Sequence, residues 1–237
     1  MRLRAALLVA LAFVLALLGA SVSGCATTGD QTTPEVRVLF IGNSYTYVNA
    51  GVDADFHGLA PKTVTGRSAV GAYTLERHLA DAHTMDLLDD GWDDIVIQEQ
   101  SQRSVLDYQG FDHSVSTFSA KIRTAGARPY LLVTWARPDT KAVTTAALQA
   151  AAKSATKNAG VTLIPAGSAF GASLGERPSI PLNSADGHPT REGTYLAACT
   201  VYAVIFGKSP VGNTYTSGLD ASTATYLQQV AATAAGR

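Results

Sequence analysis

The apolar positions along this chain fall into short runs and long periodic ones, and the two alternate. The first short run, Val36 to Ile41, is β-branched and aromatic, is bounded by Pro34 and Gly42, and reads as a buried parallel strand. Further strands are expected at residues 62–66, 94–98 (with Ile95-Val96-Ile97), 129–134 and 161–164. Helices are expected between them. Residues 73–88 form one, and residues 111–125 carry Phe111, Val115, Phe118 and Ile122 at helical spacing before Gly126. Residues 141–158 are alanine-rich and stop at Gly160, residues 189–206 are strongly apolar, and a last helix covers 221–235. Strands separated by helices need crossover connections, so the pattern predicts a three-layer α/β/α sandwich around a parallel, about five-stranded, flavodoxin-like sheet. One domain spanning 36–237 has the length for a core of its own.

The longest uninterrupted apolar run lies outside that pattern. It follows Arg2 and Arg4, continues from Ala5 through Leu18 without a charge, and ends in Val22-Ser23-Gly24-Cys25. It reads as a secretory leader over residues 1–25, with its last four residues resembling the lipobox of bacterial lipoproteins. Cys25 would then be the lipidated first residue of the mature chain; an ordinary leader ending near a stray cysteine is the other reading. Residues 26–35, rich in Thr, Gly, Gln and Pro, carry too little apolar surface to fold and are expected to be a tether. The expected location is the outer face of a membrane, toward the periplasm or cell exterior, held by lipid alone. Cys199 is the one cysteine left beyond the anchor, so no disulfide is available within the domain, and its apolar surroundings suit a small buried side chain. With 18 Lys and Arg against 19 Asp and Glu, there is no basic field to bind nucleic acid.

Candidate chemistry sits where the strands end. Ser44 follows the first strand through Gly42 and Asn43, at the edge where open α/β sheets bind ligands, although a serine there also suits a helix cap. Gln98-Glu99-Gln100-Ser101 follows the third strand and offers amides to a developing negative charge. In Asp186-Gly187-His188-Pro189, the proline favours an extended His188 just before a helix, a fitting place for a mobile base. Asp186 and His188 would otherwise merely cap that helix. Trp135 and Arg137, after the fourth strand, line a pocket or cover the sheet edge. His57, His78, His83 and His113 lack the spacing of metal ligands.

Taken in order, Gly42-Asn43-Ser44, a glycine in the second segment, a polar group after the third strand and Asp-x-His near the end resemble the SGNH hydrolase superfamily of GDSL-like esterases and lipases. The resemblance covers residues 36 to about 210. It implies Ser44 as nucleophile, His188 as base, Asp186 as the acid that orients it, and an oxyanion hole from Ser44, Gly71 and a glutamine, Gln100 or Gln98, with Gly66 competing with Gly71. It departs from the superfamily in having Gly-Asn-Ser for Gly-Asp-Ser, glutamine where asparagine is usual, and one residue rather than two between acid and base. The chemistry implied is hydrolysis of a small ester, with an acylated carbohydrate as substrate and neither metal nor organic cofactor required. A silent member of the same fold that binds a glycan or an envelope component is the competing expectation.

Overall fold

The computed structural model describes residues 35–237. The leader, Cys25 and all but the last residue of the tether lie outside the described residues.

The chain runs β1 (Val36–Gly42), α1 (Ser44–Tyr47), α2 (Val52–Leu59), β2 (Thr63–Ala69), α3 (Leu75–Leu79), α4 (Ala82–Leu88), β3 (Asp94–Ile97), α5 (Arg103–Leu106), α6 (Tyr108–Thr124), β4 (Arg128–Leu132), α7 (Thr145–Ala159), β5 (Thr162–Ile164), α8 (Ala166–Glu176), α9 (Arg191–Phe206) and α10 (Ala221–Ala234). All strand pairs are parallel and the order is β2-β1-β3-β4-β5. The chain order reverses at β1, between β2 and β3, and in such sheets the crevice beyond the strand ends at the reversal is where ligands bind.

Alternation along each strand divides the core in two. Val38, Phe40 and Val96 face a cluster completed by α2, α8, α9 and α10, whereas Leu39, Ile41, Ile95 and Ile97 face one completed by α3, α4, α6 and α7. Because helices cover both faces, β1 and β3 are buried on both sides and read as continuous apolar runs. The four residues at helical spacing in α6 are all buried.

Several expected boundaries shift, each for a local reason. The single helix expected over 73–88 is two, because the Asp81 side chain accepts from the Thr84 amide at 2.8 Å and restarts the helix as α4. Likewise Thr144 caps α7, which begins at Thr145 rather than at residue 141. Pro189 lies outside α9: the cap is Thr190, so Asp186 and His188 do not cap this helix. Besides the one-turn α5, two helices, α2 and α8, were not expected. Gly167 in α8 is required by packing, since a Cβ there would lie 2.1 Å from the Thr134 carbonyl oxygen. Cys199 is buried in α9, and burial pushes its thiol up in pKa, away from reactivity.

Gly66 is also a packing glycine. It pairs with Leu39 within the sheet, and a Cβ there would lie 2.4 Å from the Trp92 ring. Gly66→Ala is therefore expected to destabilise the domain by about 1–3 kcal/mol through overpacking, read as a lower urea midpoint with unchanged slope. A Gly66→Ala protein as stable as the wild type would refute this account.

Candidate active site

β1 ends at Gly42, and the next residues are shaped by the need to satisfy backbone groups beyond the strand ladder. The Asn43 side chain accepts from the Tyr45 amide at 3.1 Å, capping the one-turn helix α1, and donates to the Tyr73 carbonyl at 3.1 Å. Ser44 is the first residue of that turn and is half-buried, with its hydroxyl turned to a cavity of about 340 Å³. Asn43, Tyr45, Tyr47, Gly71, Ala72, Gln100, Ser101, Arg137 and His188 complete the lining.

Although 144 residues separate them, His188 Nε2 lies 2.9 Å from Ser44 Oγ. On the other side of the ring, His188 Nδ1 lies 2.9 Å from Asp186 Oδ2. The one-residue spacing between acid and base works through a turn, not an extended strand. Gly187 adopts φ +84°, a left-handed conformation that glycine tolerates, and donates its amide to the Ser184 carbonyl at 3.0 Å. The turn closes when Ser184 donates its amide to the His188 carbonyl at 2.9 Å, beside the bridge between Asn183 and Pro189. Asp186 Oδ1 accepts from the Ser184 hydroxyl at 2.6 Å and from the His188 amide at 3.2 Å. These bonds, led by the Ser184 hydroxyl and followed by the His188 amide and ring, hold its carboxyl well below the usual carboxylate range. Asp186 is nevertheless largely exposed, with 65% of its side chain accessible.

The turn carrying His188 is clamped from three directions. Trp135 Nε1 donates to the Gly187 carbonyl at 3.2 Å, and its ring lies between Phe170, at 3.8 Å, and Tyr45, at 4.9 Å. Tyr45 meets the His188 ring edge-on at 5.5 Å. Asn49 Nδ2 donates to the Pro189 carbonyl at 2.8 Å and to Thr194 Oγ1 at 3.0 Å. Trp135 is thus a buried strut rather than a cavity wall, while Arg137 does line the cavity and pairs with Asp139.

The other expected site residues divide. Gly71 and Gln100 both line the cavity beside Ser44, and neither the Ser44 nor the Gly71 amide donates to another described residue. Gly71 and Ala72 form a turn in which Ala72 takes φ +59°, unusual for alanine, closed by the Tyr73 amide on the Val70 carbonyl at 3.1 Å. Gln100 Oε1 accepts from the Gln102 and Arg103 amides at 3.0 and 3.1 Å, which leaves its amide nitrogen toward Ser101 Oγ at 3.2 Å. Gln98 does not line the cavity: its Oε1 accepts from the Asn43 amide at 3.1 Å and Thr46 Oγ1 at 2.9 Å, and its amide nitrogen donates to the Glu99 carbonyl. It is a strut under the Ser44 turn and not an oxyanion donor. Gly66 lies back in β2.

Among the four other histidines, His78 is fully buried. Its Nε2 donates to the Gly42 carbonyl at 2.7 Å and its Nδ1 faces Thr84 Oγ1 at 3.0 Å. Among the described residues no group of His, Cys, Asp and Glu is arranged to hold a metal ion.

No protein-family model matches the chain, and no curated protein matches it. Solved structures do. A Slackia heliotrinireducens protein provisionally classed as an SGNH hydrolase is 25% identical with a TM-score of 0.64, over 73% of this chain and 100% of that one. A DUF4886-family protein from Bacteroides uniformis is 21% identical with a TM-score of 0.71, over 85% of this chain and 95% of that one. An acetyl xylan esterase, AlAXEase, is 13% identical with a TM-score of 0.58, over 72% of this chain and 100% of that one. The fold is that of the SGNH and GDSL-like hydrolases, and the resemblance drawn from the sequence holds at that level.

The left-handed turn generates a prediction. A Cβ on Gly187 would lie 2.7 Å from Arg137 Cγ and 2.8 Å from the Tyr45 hydroxyl. Gly187→Ala is expected to destabilise by about 1–3 kcal/mol and, in a crystal structure, to carry His188 Nε2 out of hydrogen-bond reach of Ser44. An unchanged Ser44–His188 contact in that variant would show that the turn does not set the geometry.

Proposed function

We propose that this chain is a serine esterase that removes a small acyl group, an O-acetyl or other short acyl, from a carbohydrate. The observation that supports it is the unbroken run of contacts from Ser44 Oγ through His188 to Asp186, open to the cavity at its serine end. In this reading His188 Nε2 takes the Ser44 proton as Oγ attacks the ester carbonyl carbon, because a serine hydroxyl is a poor nucleophile without an adjacent base. Asp186 holds the imidazole with its hydrogen on Nδ1 and stabilises the imidazolium. The tetrahedral oxyanion meets the Ser44 and Gly71 amides and the Gln100 side-chain amide. Collapse expels the alcohol, which receives the proton from His188, and water then repeats the sequence on the acyl-serine.

The lining supports the small acyl group. Its apolar surface comes from Tyr45, Tyr47 and Ala72 and not from long aliphatic side chains, which suits a short acyl group. The polar walls of Asn43, Gln100, Ser101 and Arg137, with the half-exposed Tyr47, suit a hydroxyl-rich leaving alcohol. That one structural neighbour is an acetyl xylan esterase accords with this. The expected placement, tethered outside the cell by lipid on Cys25, belongs to the same proposal.

Ser44→Ala and His188→Ala are each expected to reduce hydrolysis of p-nitrophenyl acetate and acetylated oligosaccharides by at least about a thousandfold, without lowering the unfolding midpoint. Asp186→Asn should cost less, about ten- to a hundredfold, because Asp186 itself is largely solvated. Asp186 has its carboxyl depressed in the folded state, so it is ionised throughout the range above ordinary carboxylate values and contributes no inflection there to a pH–rate profile. Equal background rates for wild type and Ser44→Ala on all these esters would favour the silent glycan-binding module instead.

A further inference from the structure

Among the described residues, Glu99 is the one buried carboxylate beside this site that the chemistry above leaves idle. It lies two residues beyond β3, 4% exposed, and its Oε1 accepts from two backbone amides: Gln100 at 2.6 Å and Leu75 at 3.2 Å. Those amides belong to the two loops that flank Ser44. Leu75 opens α3 just beyond the Gly71-Ala72 turn, and Gln100 is itself a wall of the cavity. The second oxygen, Oε2, lies 3.6 Å from Arg103 Nη1, beyond hydrogen-bond length, and neither atom has a hydrogen-bond partner in the structure.

We propose that Glu99 is a positioning residue: its carboxylate ties the Gln100 and Leu75 amides to one oxygen and so fixes the Gly71 and Gln100 donors relative to each other and to Ser44. The cost to stability argues that this contact is kept for its effect on the site. Burial, opposed by the Gln100 amide and the Arg103 charge, pushes the Glu99 carboxyl up to about 7. A carboxyl raised on folding favours the folded state at low pH and loses that contribution as pH rises from its ordinary value through about 7. Ionised Glu99 thus weakens the fold near neutrality, while the charge strengthens its hold on the two amides.

The charged groups around it are few. Arg103 of α5 faces Oε2, and Arg103 itself is bound at 2.6 Å by Glu76 of α3 and at 2.9 Å by Asp107 at the start of α6. The remaining wall carries no charge: it is formed by the apolar Phe111, Leu131, Val133 and Ala152 and by the hydroxyl side chains of Ser104 and Thr134. Proton exchange on Glu99 is therefore balanced by one guanidinium whose charge is shared with two more exposed carboxylates.

The effect on turnover rests on the esterase reading, whereas the clamp does not, and one experiment separates them. In nitrogen-labelled full-length protein, the Leu75 and Gln100 amide proton signals are expected to move downfield together as pH rises through about 7, in wild type and Ser44→Ala alike. In Glu99→Gln that movement should vanish, and kcat for p-nitrophenyl acetate should fall about tenfold with KM within about twofold. Amides that titrate unchanged in Glu99→Gln overturn the clamp, as does a lost titration with unaltered kcat for its role in positioning. Should Glu99→Gln fail to fold, the wild-type titration decides, because stationary Leu75 and Gln100 amides overturn the proposal. A wild type without esterase activity but with the paired titration would sink the functional reading and leave the clamp standing.

Discussion

Where a parallel sheet ends, its backbone groups lose their ladder partners, and the end of β1 is the place where that constraint decides the rest. The Gly42 carbonyl accepts from the Val70 amide at 3.1 Å and from His78 Nε2 at 2.7 Å, and the Asn43 amide passes to the Gln98 side chain at 3.1 Å. A Cβ at Gly42 would lie 2.4 Å from Thr46 Oγ1 and 2.6 Å from Gln98 Oε1, so the exchange of partners needs glycine there. His78 fills its role only with a hydrogen on Nε2, because the carbonyl can only accept; burial lowers its pKa and favours the neutral ring in that tautomer. The position of Ser44 is therefore a by-product of satisfying two buried backbone groups, the Gly42 carbonyl and the Asn43 amide.

The acid and base lie under a different regime. Asp186 and His188 are held in a surface turn, and their mutual geometry comes from backbone closure, one glycine conformation and the Ser184 hydroxyl rather than from burial. A preorganised pair of this kind needs rigidity from its surroundings. The buried Trp135 and the bonds from Asn49 supply it, across sequence separations of 52 and 140 residues.

How much could be read from the chain follows from the range of each interaction. The five strands and the main helices were legible because their periodicity is local. The gaps were the one-turn α5, too short to show a period, α2, broken in pattern by His57 and Gly58, and α8, where Gly167, Gly171 and Gly175 dilute the apolar face. Ser44, His188 and the cavity-lining Gly71 and Gln100 were legible because strand ends and helix starts can be placed from sequence. Gln98 was assigned to the wrong side of its strand end, since two glutamines flanking Glu99 look alike until the chain bends. Pro189 points to an extended His188, whereas Gly187, itself a turn signal, closes the acid–base spacing. Asn49 and Glu99 act through contacts that appear only when distant loops converge, and the local contacts of Ser184 appear only once the turn closes.

The two tryptophans of the chain lie on opposite faces of the sheet. Trp92 packs into the cluster that holds α6 and α7 and donates to the Leu87 carbonyl at 2.7 Å, while Trp135 stacks under Ser44's helical turn and donates to the carbonyl between acid and base. Indole emission depends on the polarity and hydrogen bonding of its surroundings, so each ring carries an independent optical signal. With Trp92 replaced by phenylalanine, fluorescence becomes a built-in readout of the His188 turn alone, available without any label and in the absence of a substrate.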